Sequence, residues 1–284
     1  MSAAALLAHQ QSLRLGFFLG IFAVLALWEI LAPQRRLQVT KAARWLNNVG
    51  IVALNAMIER LVFPAAAVGV ALFAQHRGWG LLNVAHLPDA LTIAIAVIAL
   101  DLVIYLQHVM VHAVPLLWRL HRVHHADLDF DVTTGARFHP LEILLSLLIK
   151  FAAIVLLGAP AASVVIFEVL LNGTSMFNHG NVRMPAALDR VLRLFVVTPD
   201  MHRVHHSVNE DETNSNFGFN LPWWDRLFGT YRPQPRSGHE GMAIGINTFR
   251  HGRLCTWLPG MLLMPFIGRI TEYALNRRSW GTQS

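Results

Sequence analysis

The sequence predicts an all-α integral membrane protein, about four transmembrane helices beneath a cytoplasmic cap of further helices. Three observations predict it. Hydrophobic residues make up 54% of the 284 and charged residues only 14%, with a mean hydropathy of +0.44, too apolar for a water-soluble domain. Apolar runs of spanning length recur along the chain. The Lys and Arg residues follow these runs in alternate loops instead of forming one tract. The net charge of +6 therefore reads as membrane orientation and sets nucleic acid aside as a partner.

The first run, from about Leu13 to Ala32, ends at Pro33 and is longer than a signal-peptide core. Arg35, Arg36, Lys41 and Arg44 follow it, so it reads as an uncleaved span with the N-terminus outside. The second run, about Asn48 to Ala74, is interrupted by Glu59, Arg60 and Pro64. It fits either an interfacial approach helix with a short span from Leu61, or one long tilted helix. The loop Gln75 to Asp89 has Arg77 as its single basic residue and suits the outer side. A third span, about Pro88 to Gln107, rises roughly 30 Å and brings His108 out at the cytoplasmic face.

Leu141 to Gly158 and Pro160 to Met176 read as a helical hairpin turned by Gly158-Ala159-Pro160. Lys150, in mid-segment, must pair, snorkel, or mark a hairpin that does not fully cross. The polar stretch from Val182 to Tyr231 forms much of the cap; Thr198 is an N-cap with Pro199 at the first helical position, and Trp223-Trp224 suits the membrane interface. Pro259, Pro265 and Gly268 break the last apolar segment, Leu254 to Leu275, which reads as interfacial or re-entrant. Three regions result: 1–45, a span and basic loop; 46–235, the stem and cap; and 236–284, a C-terminal tail.

Histidines organise the chain. His108 and His112 stand four apart, and His121-Arg122-Val123-His124-His125 recurs letter for letter as His202-Arg203-Val204-His205-His206. Positions i, i+3 and i+4 share a helix face, so each segment presents its imidazoles in one direction. Eight of the 15 histidines lie in these clusters, which scattered surface residues do not explain. With Cys255 the single cysteine, a metal here is held by nitrogen and oxygen.

Imidazole alone does not name the metal, but eight ligands exceed what one zinc ion takes and suit two metals with four or five imidazoles each. There is no His-Glu-x-x-His, against a zinc hydrolase of that type, and no Glu-x-x-His, against a soluble di-iron carboxylate bundle. A polar stripe of Glu168, Asn172, Ser175 and His179, spaced 4, 3 and 4, is read as facing the metals with His179 as a ligand. Asp101, two turns before His108, and Asp200, beside His202, are candidates with Glu168 and Asn172 to orient the imidazoles.

These motifs resemble the fatty acid hydroxylase and sterol desaturase superfamily of membrane di-iron enzymes, in its bacterial branch. Also similar are Asp131-Val-Thr-Thr-Gly-Ala-Arg-Phe-His139-Pro-Leu-Glu142, Thr198-Pro-Asp-Met-His202, and Asn216-Phe-Gly-Phe-Asn-Leu-Pro-Trp-Trp-Asp-Arg-Leu-Phe-Gly-Thr-Tyr231. The resemblance spans about Arg44 to Arg232. It implies a four-helix stem with a cytoplasmic cap, and iron ligation by the eight clustered histidines. It further implies His179 and His139 as ligands, although His139 also fits a role orienting them.

By the same resemblance the cofactors are two iron ions, with O₂ as co-substrate. The reaction is hydroxylation or desaturation of an unactivated C–H bond in a lipid. Electrons are expected from a separate donor protein, since little chain remains beyond the stem and cap. A membrane zinc hydrolase, a metal transporter and a non-catalytic metal-binding scaffold are the alternatives. The basic loops suit an inner bacterial membrane or an endoplasmic reticulum membrane, and the lack of a retrieval signal favours the bacterial one.

Overall fold

The computed structural model describes residues 3–268 together with Tyr273 and Leu275, so the far end of the expected Leu254–Leu275 segment lies largely outside the described residues. The principal helices are α1 (Gln10–Leu31), α2 (Lys41–Val62), α3 (Ala66–His76), α4 (Asp89–Ala113), α5 (Pro115–His125), α6 (Pro140–Leu157), α7 (Ala161–Asn178) and α8 (Pro199–His205). Short helices of up to seven residues and loops join them, and the described residues form no strand beyond isolated bridges.

Five segments among the described residues are long and apolar enough to cross a membrane: α1, the run Lys41–Val84, α4, α6 and α7. The sequence suggested about four; the hairpin contributes two of the five, α6 and α7, each 18 residues and long enough to cross. Lys41–Val84 is broken at Pro64, which has no N–H to continue the ladder, and α2 ends with Phe63 as its C-cap. Gly158 turns α6 into α7 from the left-handed region, at φ 66°. A Cβ there would stand 2.8 Å from both the Asn83 amide nitrogen and the Trp79 carbonyl oxygen.

Helix α7 is the centre of the stem, packed against α1, α3 and α4. Its Val164, Val165 and Phe167 are buried with Val68 and Ala71 of α3 and Leu100 of α4. Gly173 faces α1, where a Cβ would lie 2.9 Å from the flexible end of Ile21 at Cδ1. Lys150 is resolved by pairing: its Nζ donates to Glu168 Oε1 at 2.8 Å, and Arg14 lies 3.1 Å from the other oxygen of that carboxylate.

The cap begins where Val114, held extended ahead of Pro115, breaks α4 from α5 and turns the chain back over the stem. Beyond α5 the loop 127–137 is almost wholly buried although polar. Buried Arg44 of α2 binds it, pairing with Asp127 at 2.8 Å and with Asp131. Arg137 donates to the carbonyls of Val123 and Cys255. These are the charge-assisted bonds that a buried guanidinium requires.

The C-terminal segment, expected to be interfacial, packs onto the cap as far as it is described. Cys255, Met261 and Met264 are buried against Ile51, Trp118 and Val123. Arg119 and Arg122 of α5 donate to carbonyls of Met264, Pro265, Ile267 and Gly268. The segment thus clamps the back of the helix that carries the first pentapeptide.

Candidate metal centre

Nine buried histidines converge where the stem meets the cap, in two groups. The first holds His108, His112, His121, His125 and His205; the second holds His124, His179, His202 and His206. Within each group one nitrogen per ring lies within 4.8 Å of the others.

The duplicated pentapeptide is divided between the two groups. In each copy the first and fifth residues serve one group and the fourth crosses to the other. His121 and His125 join the first group while His124 joins the second; His202 and His206 join the second while His205 joins the first. Consecutive helical residues point about 100° apart, so His124 and His125 do not share a direction. The expectation that each segment aims all its imidazoles one way is corrected accordingly. α5 and α8 exchange one ligand candidate each, and the groups are completed by His108 and His112 of α4 in the first and His179 after α7 in the second.

Five of the nine rings are held by their far nitrogens. Nδ1–H of His108 donates to the Phe217 carbonyl at 2.7 Å, that of His179 to Ser175 at 2.7 Å and that of His205 to Ser215 at 2.7 Å. His112 donates to Asn214 Oδ1 at 3.2 Å and His121 to Glu142 Oε1 at 2.5 Å. Each bond selects the tautomer whose Nε2 lone pair faces inward.

Inward-facing nitrogens crowd together. Nε2 atoms of His108 and His121 are 3.2 Å apart, those of His124 and His179 3.2 Å, and those of His179 and His202 3.1 Å. Two nitrogens on one ion at roughly 2.0–2.1 Å stand about 3 Å apart, so the spacing fits shared metals. Among the described residues, Nε2 of His112 and His205 and both nitrogens of His125 and His206 are buried without a hydrogen-bond partner, and a bound cation would satisfy one nitrogen of each ring.

Burial, then the neighbouring imidazoles, holds His124, His125, His202 and His206 well below the usual histidine range; burial also pushes His179 down to about 3. Neutral imidazole is the form that ligates.

The other candidates separate. His139 belongs to neither group: it caps α6, accepting from the Leu141 N–H at 3.2 Å, with its Nε2 3.3 Å from the Leu262 carbonyl. Asp101 does not orient a histidine. Seven residues before His108 is about 10 Å of helix rise, beyond a carboxylate's reach, and it accepts instead from Trp224 Nε1–H at 2.8 Å and the Leu221 N–H at 3.2 Å. Asp200 is taken by Arg203, one turn along α8. Glu168 and Asn172 line a cavity that reaches the histidines, but Glu168 is held by cations and not by an imidazole. Sequence reasoning missed Glu142 and Asn214 as orienting groups; Glu142 stood in a quoted motif, three residues past His139.

A cavity of about 290 Å³ runs from His108 and His121 into the stem. Ile104, Phe138, Leu147 and Phe219 give it apolar walls.

The fatty acid hydroxylase family profile matches residues 93–230, the stretch that contains all nine histidines. Over that stretch, just under half of the chain, the protein is similar to the fatty acid hydroxylase family. An ornithine lipid hydroxylase of Rhizobium tropici is 27% identical over 235 residues, which cover 80% of this chain and 69% of that protein. The human alkylglycerol monooxygenase is 29% identical over 154 residues, 54% of this chain and 34% of its own length. A rat cholesterol 25-hydroxylase is 23% identical over 146 residues, 51% and 48% of the two chains. The chain spans less than half the length of the last two. No solved structure matches the chain significantly.

Proposed function

We propose that the chain is an O₂-dependent membrane oxidoreductase that hydroxylates a C–H bond of a lipid at a pair of iron ions. The observation that carries this reading is the division of nine buried histidines into groups of five and four. The overall change would be R–H + O₂ + 2e⁻ + 2H⁺ → R–OH + H₂O. When bound, the irons would supply O₂ reduction and attack on the unactivated C–H bond. His108, His112, His121, His125 and His205 would hold one ion, and His124, His179, His202 and His206 the other.

The remaining work belongs to the chain. The carbonyls of Phe217, Ser175 and Ser215, with Glu142 and Asn214, keep Nε2 of His108, His179, His205, His121 and His112 aimed inward. Phe138 and Phe219 wall the cavity beside the histidines and keep water from the reacting carbon. Exposed Arg183, Arg190, Arg226 and Arg236 on the cap side suit an acidic electron donor, a separate protein. The positive-inside rule supports a cytoplasmic position for this side, and a bacterial inner membrane is the location that goes with this reading.

The experiment is a metal count by elemental analysis with Mössbauer spectroscopy on iron-57 protein, followed by O₂ consumption with a reductant and lipid extracts. About two irons per chain with a coupled spectrum, and O₂ uptake matched by an oxidised lipid, are expected. Failure to reconstitute a coupled pair, with lipid hydrolysis instead, would sink the reading and favour a zinc hydrolase.

A further inference from the structure

The cavity has two chemically opposite ends. At one lie His108 and His121; at the other lie Arg14, Glu59, Lys150 and Glu168, inside the stem. Glu168 is 6% exposed at its side chain and is gripped by Lys150 at 2.8 Å and Arg14 at 3.1 Å. Glu168 is eleven residues before His179, about 16 Å of helix rise, and Lys150 eight residues after Glu142, about 12 Å. That is roughly half of a ~30 Å hydrocarbon core, the reach of one lipid chain.

An apolar chain end pressed among these four groups would strip them of solvent without replacing its hydrogen bonds, a cost that an amphiphile with its polar end there avoids. Ion pairing leaves donors over: a lysine ammonium has three N–H and a guanidinium five, and Glu168 takes one contact from each. The formal charges of Arg14 and Lys150 against Glu59 and Glu168 cancel, so a net-neutral head that donates and accepts matches better than an anion, which would meet two carboxylates.

We propose that Arg14, Lys150 and Glu168 form a head-group subsite for a single-chain lipid with a net-neutral, hydroxyl-bearing polar end, whose chain extends toward the histidines. The depth of this subsite then sets which carbon, counted from the head, is oxidised. The inference rests on the oxygenase reading for its consequence, but its binding step does not need metal.

The test uses the full-length protein in nanodiscs, metal-free and zinc-loaded, titrated with monododecanoylglycerol, dodecanoate and tridecane, with binding followed by native mass spectrometry. The glycerol ester should bind about tenfold or more tighter than the other two. Lys150→Met and Arg14→Gln should each weaken it by about tenfold, the scale of one charged hydrogen bond, with zinc content unchanged. Arg14 is a third exposed at its side chain, so its variant remains informative if Lys150→Met fails to fold. A monododecanoylglycerol carrying a diazirine at its chain end should label the Phe138 or Phe219 peptide. Equal binding of the three probes, unchanged affinity in Arg14→Gln, or labelling around Lys150 would overturn the proposal. Because no step requires iron, its failure is separable from that of the oxygenase reading.

Discussion

His124 Nε2 lies 3.2 Å from His179 Nε2, although His124's neighbour in the chain, His125, belongs to the other group. One turn of α5 therefore feeds both candidate metal positions, and α8 does the same in reverse. The two groups are mechanically one unit, since neither pentapeptide can move without disturbing both.

Substituting His124 by Ala should therefore damage the second group first. Iron per chain should fall from about two to about one, with the coupled Mössbauer signal lost. Retention of a coupled pair in this variant would contradict the assignment of His124.

Glu142 holds the far nitrogen of His121 from a buried position. Glu142→Ala should leave the ligand in place but free its ring, lowering metal affinity by about 10–100-fold. Competition against a chelator measures this directly, and an unchanged affinity would remove Glu142 from the site.

The metal-free protein should be acid-sensitive. Its cluster histidines are held below their ordinary range, His179 at about 3, whereas in the unfolded chain they titrate near ~6.5. Between those values the unfolded chain binds more protons, so stability rises with pH across the window and levels off above it. Melting of metal-free protein should occur at lower temperature near about pH 5 than near about pH 7.5. A flat profile would mean that these imidazoles are not buried and neutral.

Arg44→Met should be among the most damaging changes away from the histidines. It leaves Asp127 and Asp131 buried beside each other without their shared cation, a loss of roughly 3–5 kcal/mol. Burial opposes ionisation of Asp127, but Arg44 and Arg137 hold its carboxyl well below the usual range. A melting temperature within a few degrees of wild type would show that the pair is dispensable.

Much of this protein was legible in the chain itself. Apolar run lengths marked the spans, Thr198-Pro199 marked the start of α8, and Gly158-Ala159-Pro160 marked the turn of the hairpin, because each depends on local geometry. The histidine spacing pointed to a site for two metals, since helical periodicity alone brings His108 and His112 to one face. What periodicity could not decide was which imidazole serves which group. That depends on how α5 and α8 face each other, a relation between segments about eighty residues apart. The partners of the rings were hidden for the same reason. Backbone carbonyls of Phe217, Ser175 and Ser215 carry no sequence signal, and Asp101, favoured by its place on the same helix, was too far along it to serve. Lys150 beside Glu168 is the converse case: Lys150 alone in an apolar run looked like a difficulty, and only the tertiary fold, which brings the two side chains together across the hairpin, resolved it.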